Sequence, residues 1–272
     1  MKSTFLTGSI EADSDSTQPA SQPWWLYANL CSLDAPVVAV VWLWAFSKAF
    51  DSPVAFPVYT VLFLAVWSIY IFDRLIDGWR QKDWQTATRR HVFARQHQQF
   101  FILLLAVMLP IAAVFTLTFL PLDLIVTGSI LAVLVWLYFA AFVRLFPRLK
   151  PLRAKEFACG LVFAGGVALG VDAMRHEAFV HPAEVLPPVL LFASLCVLNC
   201  LLISAREKHS DQKNDPGAAS SWWRNINRDL LFLTSALFFI SGSFGIFEDF
   251  SPIYTAIFIS SLLLTVLHLR QN

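Results

Sequence analysis

Two groups of acidic residues follow long apolar segments, and their spacing is the most chemically informative pattern in the sequence. The first acidic group is Asp73 and Asp77, and the second is Glu207, Asp211 and Asp215. In both groups the carboxylates recur every four residues, which on a helix places them on one face with Cβ atoms about 5–6 Å apart. At an effective dielectric of about 20, two carboxylates about 6 Å apart repel each other by roughly 3 kcal/mol. If the two groups meet, divalent cations are required to offset that repulsion.

The donor atoms of these five side chains indicate which metal they would hold. All are carboxylate oxygens, and Mg²⁺ commonly binds substrate phosphates through one or two carboxylates, so we expect Mg²⁺ as the cofactor. His91, His97 and His209 lie in the same connections and are interpreted as solvated interface residues. The alternative for the first acidic group alone is pairing with Arg74 and Arg80, which would keep a helix end soluble at the membrane surface.

Basic residues beside the acidic groups favour a diphosphate as the anionic ligand. The predicted diphosphate-binding residues are Arg74, Arg89, Lys150 and Lys155. The alternative is that such cations only orient the chain in the membrane and contact lipid headgroups.

Three further residues are candidates to line a pocket: Asp34, Tyr70 and Asn199. Asp34 falls within a predicted span, where an ionisable group is costly enough to be a functional candidate. A hydrogen bond between helices is an equally open interpretation of Asp34 and Asn199.

The elements that must position these residues are transmembrane helices. Of the 272 residues, 57% are hydrophobic and 14% are charged, and the mean hydropathy is +0.61, which excludes an ordinary soluble domain. Apolar windows long enough to cross a bilayer as helices predict about eight spans in an all-α, polytopic bundle. These windows cover residues 25–46, 53–72, 99–119, 123–143, 156–173, 186–204, 229–247 and 251–269.

The distribution of basic residues predicts the orientation of the chain. With eight spans, all lysines and arginines except Lys48 and Arg175 lie on the side of the N-terminus, so the positive-inside rule places both termini in the cytoplasm. The second and sixth spans then end on the same side, so both acidic groups are expected at the cytoplasmic face, within reach of one site. Residues 1–23 are interpreted as a disordered cytoplasmic tail and residues 24–272 as a single transmembrane domain. The near-neutral net charge of +1 does not favour nucleic-acid binding.

Close packing is predicted for the fifth apolar window. Gly160, Ala164 and Ala168 recur every four residues there, so a neighbouring helix can approach closely.

With these motifs, the chain resembles the UbiA superfamily of membrane prenyltransferases. That family carries an NDxxDxxxD motif after the second helix and a DxxxD-like motif after the sixth. Asp73-Arg-Leu-Ile-Asp77 resembles the end of the first motif, Thr88-Arg-Arg resembles the basic segment that follows it, and the second acidic group resembles the second motif. Ile69 and Tyr70 stand where the family places Asn and the first Asp, and Glu207 stands where the second motif opens with Asp.

The resemblance implies a UbiA-like fold and transfer of a polyprenyl group from its diphosphate to an aromatic or other lipophilic acceptor. It implies Asp73, Asp77, Asp211 and Asp215 as catalytic residues that hold Mg²⁺, with Glu207 as a further ligand. The departures from the family pattern leave open a catalytically degenerate protein that binds a lipid or quinone. A small-solute transporter that uses Asp34 as its intramembrane charge is a third possibility. The sequence does not determine the acceptor, the prenyl chain length or the oligomeric state.

Overall fold

The computed structural model of the protein describes residues 24–80, 88–141, 155–175, 182–215, 217–248 and 251–270. Within these ranges all regular secondary structure is α-helical, as predicted. The tail 1–23 and Lys150 lie outside the described residues. The helices are α1 (Trp24–Leu30), α2 (Asp34–Ala49), α3 (Phe56–Arg80), α4 (Arg89–Gln96), α5 (Gln98–Phe119), α6 (Leu122–Ala141), α7 (Lys155–Arg175), α8 (Pro182–Arg206), α9 (Lys208–Asn214), α10 (Ala219–Trp222), α11 (Ile226–Phe247) and α12 (Pro252–Leu269).

Six of the described helices are long and apolar enough to cross a membrane, namely α3, α5, α6, α8, α11 and α12. Large apolar side chains cover their outer surfaces, as at Leu103, Leu117 and Leu122, which are all exposed. In water such surfaces would be unfavourable, whereas in a bilayer they contact lipid tails. The chain is therefore a membrane-embedded, multi-pass protein. The count of eight spans is not confirmed, because α2 has 16 residues and α7 is not among the six.

The first predicted span is interrupted in the structure. The prediction ran unbroken from residue 25 to 46, but α1 ends at Leu30 and α2 begins at Asp34. Pro36 explains the break, because its ring would clash with the carbonyl of Ser32 in a continuous helix, whereas proline is tolerated in a first turn. Ser32 instead adopts a positive φ of 57°. Asp34 therefore lies at the start of a helix and not in the middle of a span.

The core of the bundle lies where α2, α3, α7, α8, α11 and α12 meet. Its fully buried side chains include Leu43, Phe46, Phe192, Leu201 and Ile257. In contrast, α5 packs mainly on α3, and α6 packs on α7, so both lie at the edge of the bundle.

Among the described glycines, the closest approach of a neighbouring helix backbone is at Gly160, where α7 crosses α8. A Cβ atom at this position would lie 2.6 Å from both Cα and N of Val197. The predicted close approach of a neighbouring helix is therefore confirmed at Gly160. This contact fixes α8 relative to the N-terminal end of α7, where Lys155 and Glu156 are located.

The polar end of the bundle is the end at which α3 and α8 finish and α7 begins. At this end α4 packs along α3, and the short helices α9 and α10 pack against each other and against α8. The first acidic group lies in the last two turns of α3. Of the second acidic group, Glu207 lies at the junction of α8 and α9, Asp211 lies within α9, and Asp215 directly follows it.

Candidate functional site

Both acidic groups line one cavity at the polar end of the bundle. We call this cavity of about 140 Å³ the polar compartment. It is lined by Tyr70, Asp73, Arg74, Asp77, Arg90, His91, Tyr138, Lys155, Glu156, Cys159, Cys200, Ile203, Ser204, Glu207 and Asp211. Residues more than 100 positions apart in the sequence therefore meet in one place, as the topology argument predicted. A smaller cavity beside it, of about 60 Å³, is lined by Asp215 together with residues of both groups.

The first acidic group reaches the polar compartment from one face of α3, because Asp73 and Asp77 are four residues apart. His91 on α4 faces this group, with its Nε2 atom 3.7 Å from Asp77 Oδ2. Its Nδ1 atom is 3.2 Å from Thr88 Oγ1. Only 12% of the His91 side chain is exposed, so its interpretation as a solvated residue is wrong. His97 and His209, in contrast, are exposed.

Burial also determines the charge of His91. Removal from water is the main cause that lowers its pKa to about 4; Asp77 opposes this effect and Arg90 adds to it. His91 is therefore neutral near pH 7 and lies beside Asp77 without forming a charged ion pair.

The second acidic group is held by a bend in the chain and not by a single helix. Helix α8 ends at Arg206, Glu207 precedes α9, and Asp215 follows it. Backbone hydrogen bonds from Asp211 N to Glu207 O (2.9 Å) and from Asp215 N to Asp211 O (2.7 Å) nevertheless preserve the four-residue spacing. The three carboxylates therefore remain on one side of the chain through the bend.

Each carboxylate of the second group has its own partner. Glu207 pairs with Arg90 of α4, and Asp215 pairs with Lys155 of α7. These two ion pairs connect the bend to α4 and to α7.

Asp211 is held by two hydroxyl groups. Its Oδ2 atom accepts hydrogen bonds from Ser204 Oγ at 3.0 Å and Ser220 Oγ at 2.8 Å. Burial raises the pKa of Asp211 to about 6, although Lys155 and the two hydroxyl groups oppose the rise.

Arg74 is the most deeply buried cation of the site. Its exposed fraction is 8%, and its Nη1 atom has no hydrogen-bond partner among the described residues. A buried donor without a partner costs about 1–3 kcal/mol, so the unpaired Nη1 atom calls for an acceptor that the described residues do not supply. Of the other predicted cations, Lys155 lines the polar compartment, whereas Arg89 is exposed and its neighbour Arg90 takes the position on the wall.

A larger cavity adjoins the polar compartment on its apolar side. This apolar chamber has a volume of about 640 Å³. Its walls come from α1, α2, α3, α4, α8 and α12, with Phe163 of α7, and it contains the predicted pocket residues Asp34, Tyr70 and Asn199. The rings of Trp42 and Phe192 lie against each other on its wall with centroids 4.6 Å apart.

The two cavities share part of their walls, so they lie next to each other, one of them polar and the other mainly apolar. The residues that line both are Tyr70, Arg74, Arg90, Cys200, Ile203 and Glu207. Arg74 therefore lies at the boundary, between the acidic groups and the apolar chamber.

The charges of the polar compartment fit a divalent cation. Five carboxylates line it, against the three cations Arg74, Arg90 and Lys155. One carboxylate, Glu156, serves a structural purpose, because its Oε1 atom accepts a hydrogen bond from Ala219 N at 3.0 Å. In the part of the chain that the structure describes, no three His, Cys, Asp or Glu side chains are grouped closely enough to hold a metal without help. Mg²⁺ does not require such a group, since it takes one or two carboxylates and completes its shell with water and phosphate oxygens.

Several residues of the site were not identified from the sequence. Arg90 and His91 were visible as part of a basic segment, but helical spacing did not show which of its members face α3. Ser204, Ser220 and Glu156 gave no signal, because their roles depend on contacts between helices that are remote in sequence.

Comparison of the chain with protein-family models, with curated proteins and with solved structures gives no match.

Proposed function

We propose that this protein is a Mg²⁺-dependent membrane prenyltransferase, which moves a polyprenyl group from its diphosphate to a lipophilic acceptor. The observation that carries the proposal is the pair of adjoining cavities described above, one lined by acidic groups and cations and the other an apolar chamber. A polyprenyl diphosphate has the same division into an anionic head and an apolar chain. The resemblance of the two acidic groups to the UbiA motifs supports the same assignment.

In this proposal the head of the substrate lies in the polar compartment. Arg74, Arg90 and Lys155 are the cations that can neutralise the diphosphate. The first acidic group and Asp211 would hold Mg²⁺, and Glu207 and Asp215 would be further ligands if they were released from Arg90 and Lys155. The unpaired Nη1 atom of Arg74 gains a hydrogen bond to a phosphate oxygen at the boundary between the two cavities.

The chemistry follows from where charge develops. As the allylic C–O bond breaks, its electron pair leaves with the diphosphate, and fixed cations around the leaving oxygen stabilise that charge. When bound, Mg²⁺ supplies Lewis-acid stabilisation of the same oxygens. The electron-poor prenyl carbon then forms a bond to the acceptor, which loses a proton. Because the walls of the chamber are mainly apolar, water is largely excluded, and the acceptor rather than water captures the prenyl group.

The experiment that tests this function uses the full chain reconstituted in liposomes with tritium-labelled farnesyl diphosphate, Mg²⁺ and a panel of phenols and quinols. We expect a lipid-soluble product that is lost in Asp73→Asn and in Asp211→Asn. The matched control is Asp51→Asn, because Asp51 is exposed at the other end of α2. Product formation that survives both site substitutions would refute the proposal.

A second candidate function is an amphiphile-binding protein without turnover. It is favoured by Ile69, which stands where the family has Asn and belongs with Phe72 of α3 to an apolar cluster that includes Phe139 of α6. The two functions differ in one measurement: Mg²⁺-dependent binding of farnesyl diphosphate without product would support the second. The transporter hypothesis depends on Asp34, which lies at the start of α2 and lines the apolar chamber, and it stays a prediction.

A further inference from the structure

The apolar chamber contains a polar pair that the proposed chemistry at the diphosphate does not use. Asn29 at the end of α1 and Asp34 at the start of α2 both line the chamber, and Asn29 Nδ2 donates a hydrogen bond of 2.8 Å to Asp34 Oδ2. The break between the two helices brings these side chains together. A hydrogen bond of 2.9 Å from Trp67 Nε1 to Cys31 O fastens that break to α3.

The pair lines the chamber beside Ala35, Val38 and Leu264. Both side chains are exposed, and the amide of Asn29 engages one of the two carboxylate oxygens of Asp34. Asp34 therefore presents a carboxylate on the chamber wall, held in place by that hydrogen bond.

A second feature of the same chamber is a buried cation at its boundary with the polar compartment. The side chain of Arg74 is more than nine-tenths buried, lines the chamber and has an Nη1 atom without a hydrogen-bond partner among the described residues. That donor is assigned above to the diphosphate, which leaves the Asp34 carboxylate as the acceptor for a second polar ligand.

We propose that Asp34, held in place by Asn29, binds the polar end of the acceptor substrate, and that this end carries a hydrogen-bond donor such as a phenol or alcohol O–H or an ammonium group. This inference rests on the proposed function, since it assigns the site of the second substrate. Asp34 is a specificity residue that selects acceptors, whereas the acidic groups at the polar end act on the diphosphate.

The test compares two probes that differ in one hydrogen-bond donor, para-propylphenol and its methyl ether. Binding of each is measured by isothermal titration calorimetry to the full chain in nanodiscs. A hydrogen bond to a charged acceptor is stronger than one to a neutral amide by about a factor of ten in affinity. We therefore expect the wild type to prefer the phenol by tenfold or more, and Asp34→Asn to reduce that preference by about tenfold.

Two further variants complete the test. Asn29→Ala keeps the carboxylate but removes its anchor, and we expect it to reduce the preference by about threefold. Asp51→Asn, at the far end of α2, should keep the wild-type preference. Binding of inorganic pyrophosphate is measured with and without Mg²⁺ in every variant, and it should stay Mg²⁺-dependent in all of them because Asp34 and Asn29 lie outside the polar compartment.

The outcomes separate this inference from the proposed function. A wild type without preference for the phenol, or an unchanged preference in both Asp34→Asn and Asn29→Ala, would overturn the assignment of Asp34. If the wild type did not bind pyrophosphate in a Mg²⁺-dependent way, that result would count against the proposed function instead. A phenol preference that depends on Asp34 would stand even if no prenyl transfer were found.

Discussion

The substitution Gly160→Ala tests whether the crossing of α7 and α8 determines the geometry of the site. The added Cβ would lie 2.6 Å from Val197 Cα and N, which are backbone atoms and cannot rotate away. Ordinary contacts are about 3.5–4.0 Å, so the two helices must separate by about 1 Å. Overpacking of this kind costs about 1–3 kcal/mol, and alanine recovers up to about 1 kcal/mol in helix propensity. We expect a net destabilisation of about 1–2 kcal/mol.

The matched control for this substitution is Gly128→Ala on α6, where an added Cβ meets nothing within 4 Å. That variant should be as stable as the wild type or gain up to about 1 kcal/mol. Thermal unfolding in detergent, followed by circular dichroism, measures both variants. Gly160→Ala should also weaken Mg²⁺–pyrophosphate binding, because α7 carries Lys155 and α8 carries Ser204 into the polar compartment. Equal melting temperatures for the two variants would refute the close crossing.

Three further substitutions give shorter tests. The first is Asp211→Asn, measured with a metal chelator present. Because the pKa of Asp211 is raised to about 6, the folded wild type binds more protons than the unfolded chain between pH 4 and 7, and it loses stability as those protons dissociate. Over this pH range Asp211→Asn should therefore gain about 2 kcal/mol in free energy of unfolding relative to the wild type. Melting curves across that range that run parallel would contradict this reasoning. Lys155→Met should weaken Mg²⁺–pyrophosphate binding at least tenfold, since it removes one of three cations; calorimetry showing unchanged affinity would exclude Lys155 from the anion site. Trp67→Phe should lower the free energy of unfolding by about 1 kcal/mol through loss of the hydrogen bond to Cys31 O, whereas a wild-type melting temperature would show that this bond does not hold the break.

Much of the architecture was predictable, because a span must be a continuous apolar run of about 20 residues. Helices α3, α5, α6, α8, α11 and α12 each coincide with a predicted window. The interruption at residues 31–33 was missed, because the apolar composition continues across it. Pro36 was the available signal, and its effect on the residue four positions before it depends on backbone sterics and not on hydropathy.

The candidate site was predictable in outline and not in detail. The four-residue spacing, together with the prediction that the second and sixth spans end on the same side of the membrane, was sufficient to predict that the acidic groups of α3 and the α8–α9 bend meet. They did not distinguish Arg90 from Arg89, because that choice depends on how α4 rotates against α3. The burial of His91 was likewise invisible, since it results from a packed interface and not from the composition of its segment.

The ion pairs Arg90–Glu207 and Lys155–Asp215 affect how the metal and the diphosphate influence each other's binding. Each pair already balances its own charge, so a cation that binds Glu207 or Asp215 alone would displace a basic side chain, and an anion that binds Arg90 or Lys155 alone would displace an acidic one. When both arrive together, every group exchanges one counter-ion for another and no charge is left without a partner. Metal and diphosphate should accordingly bind with positive heterotropic coupling, each raising the affinity of the other by the same factor.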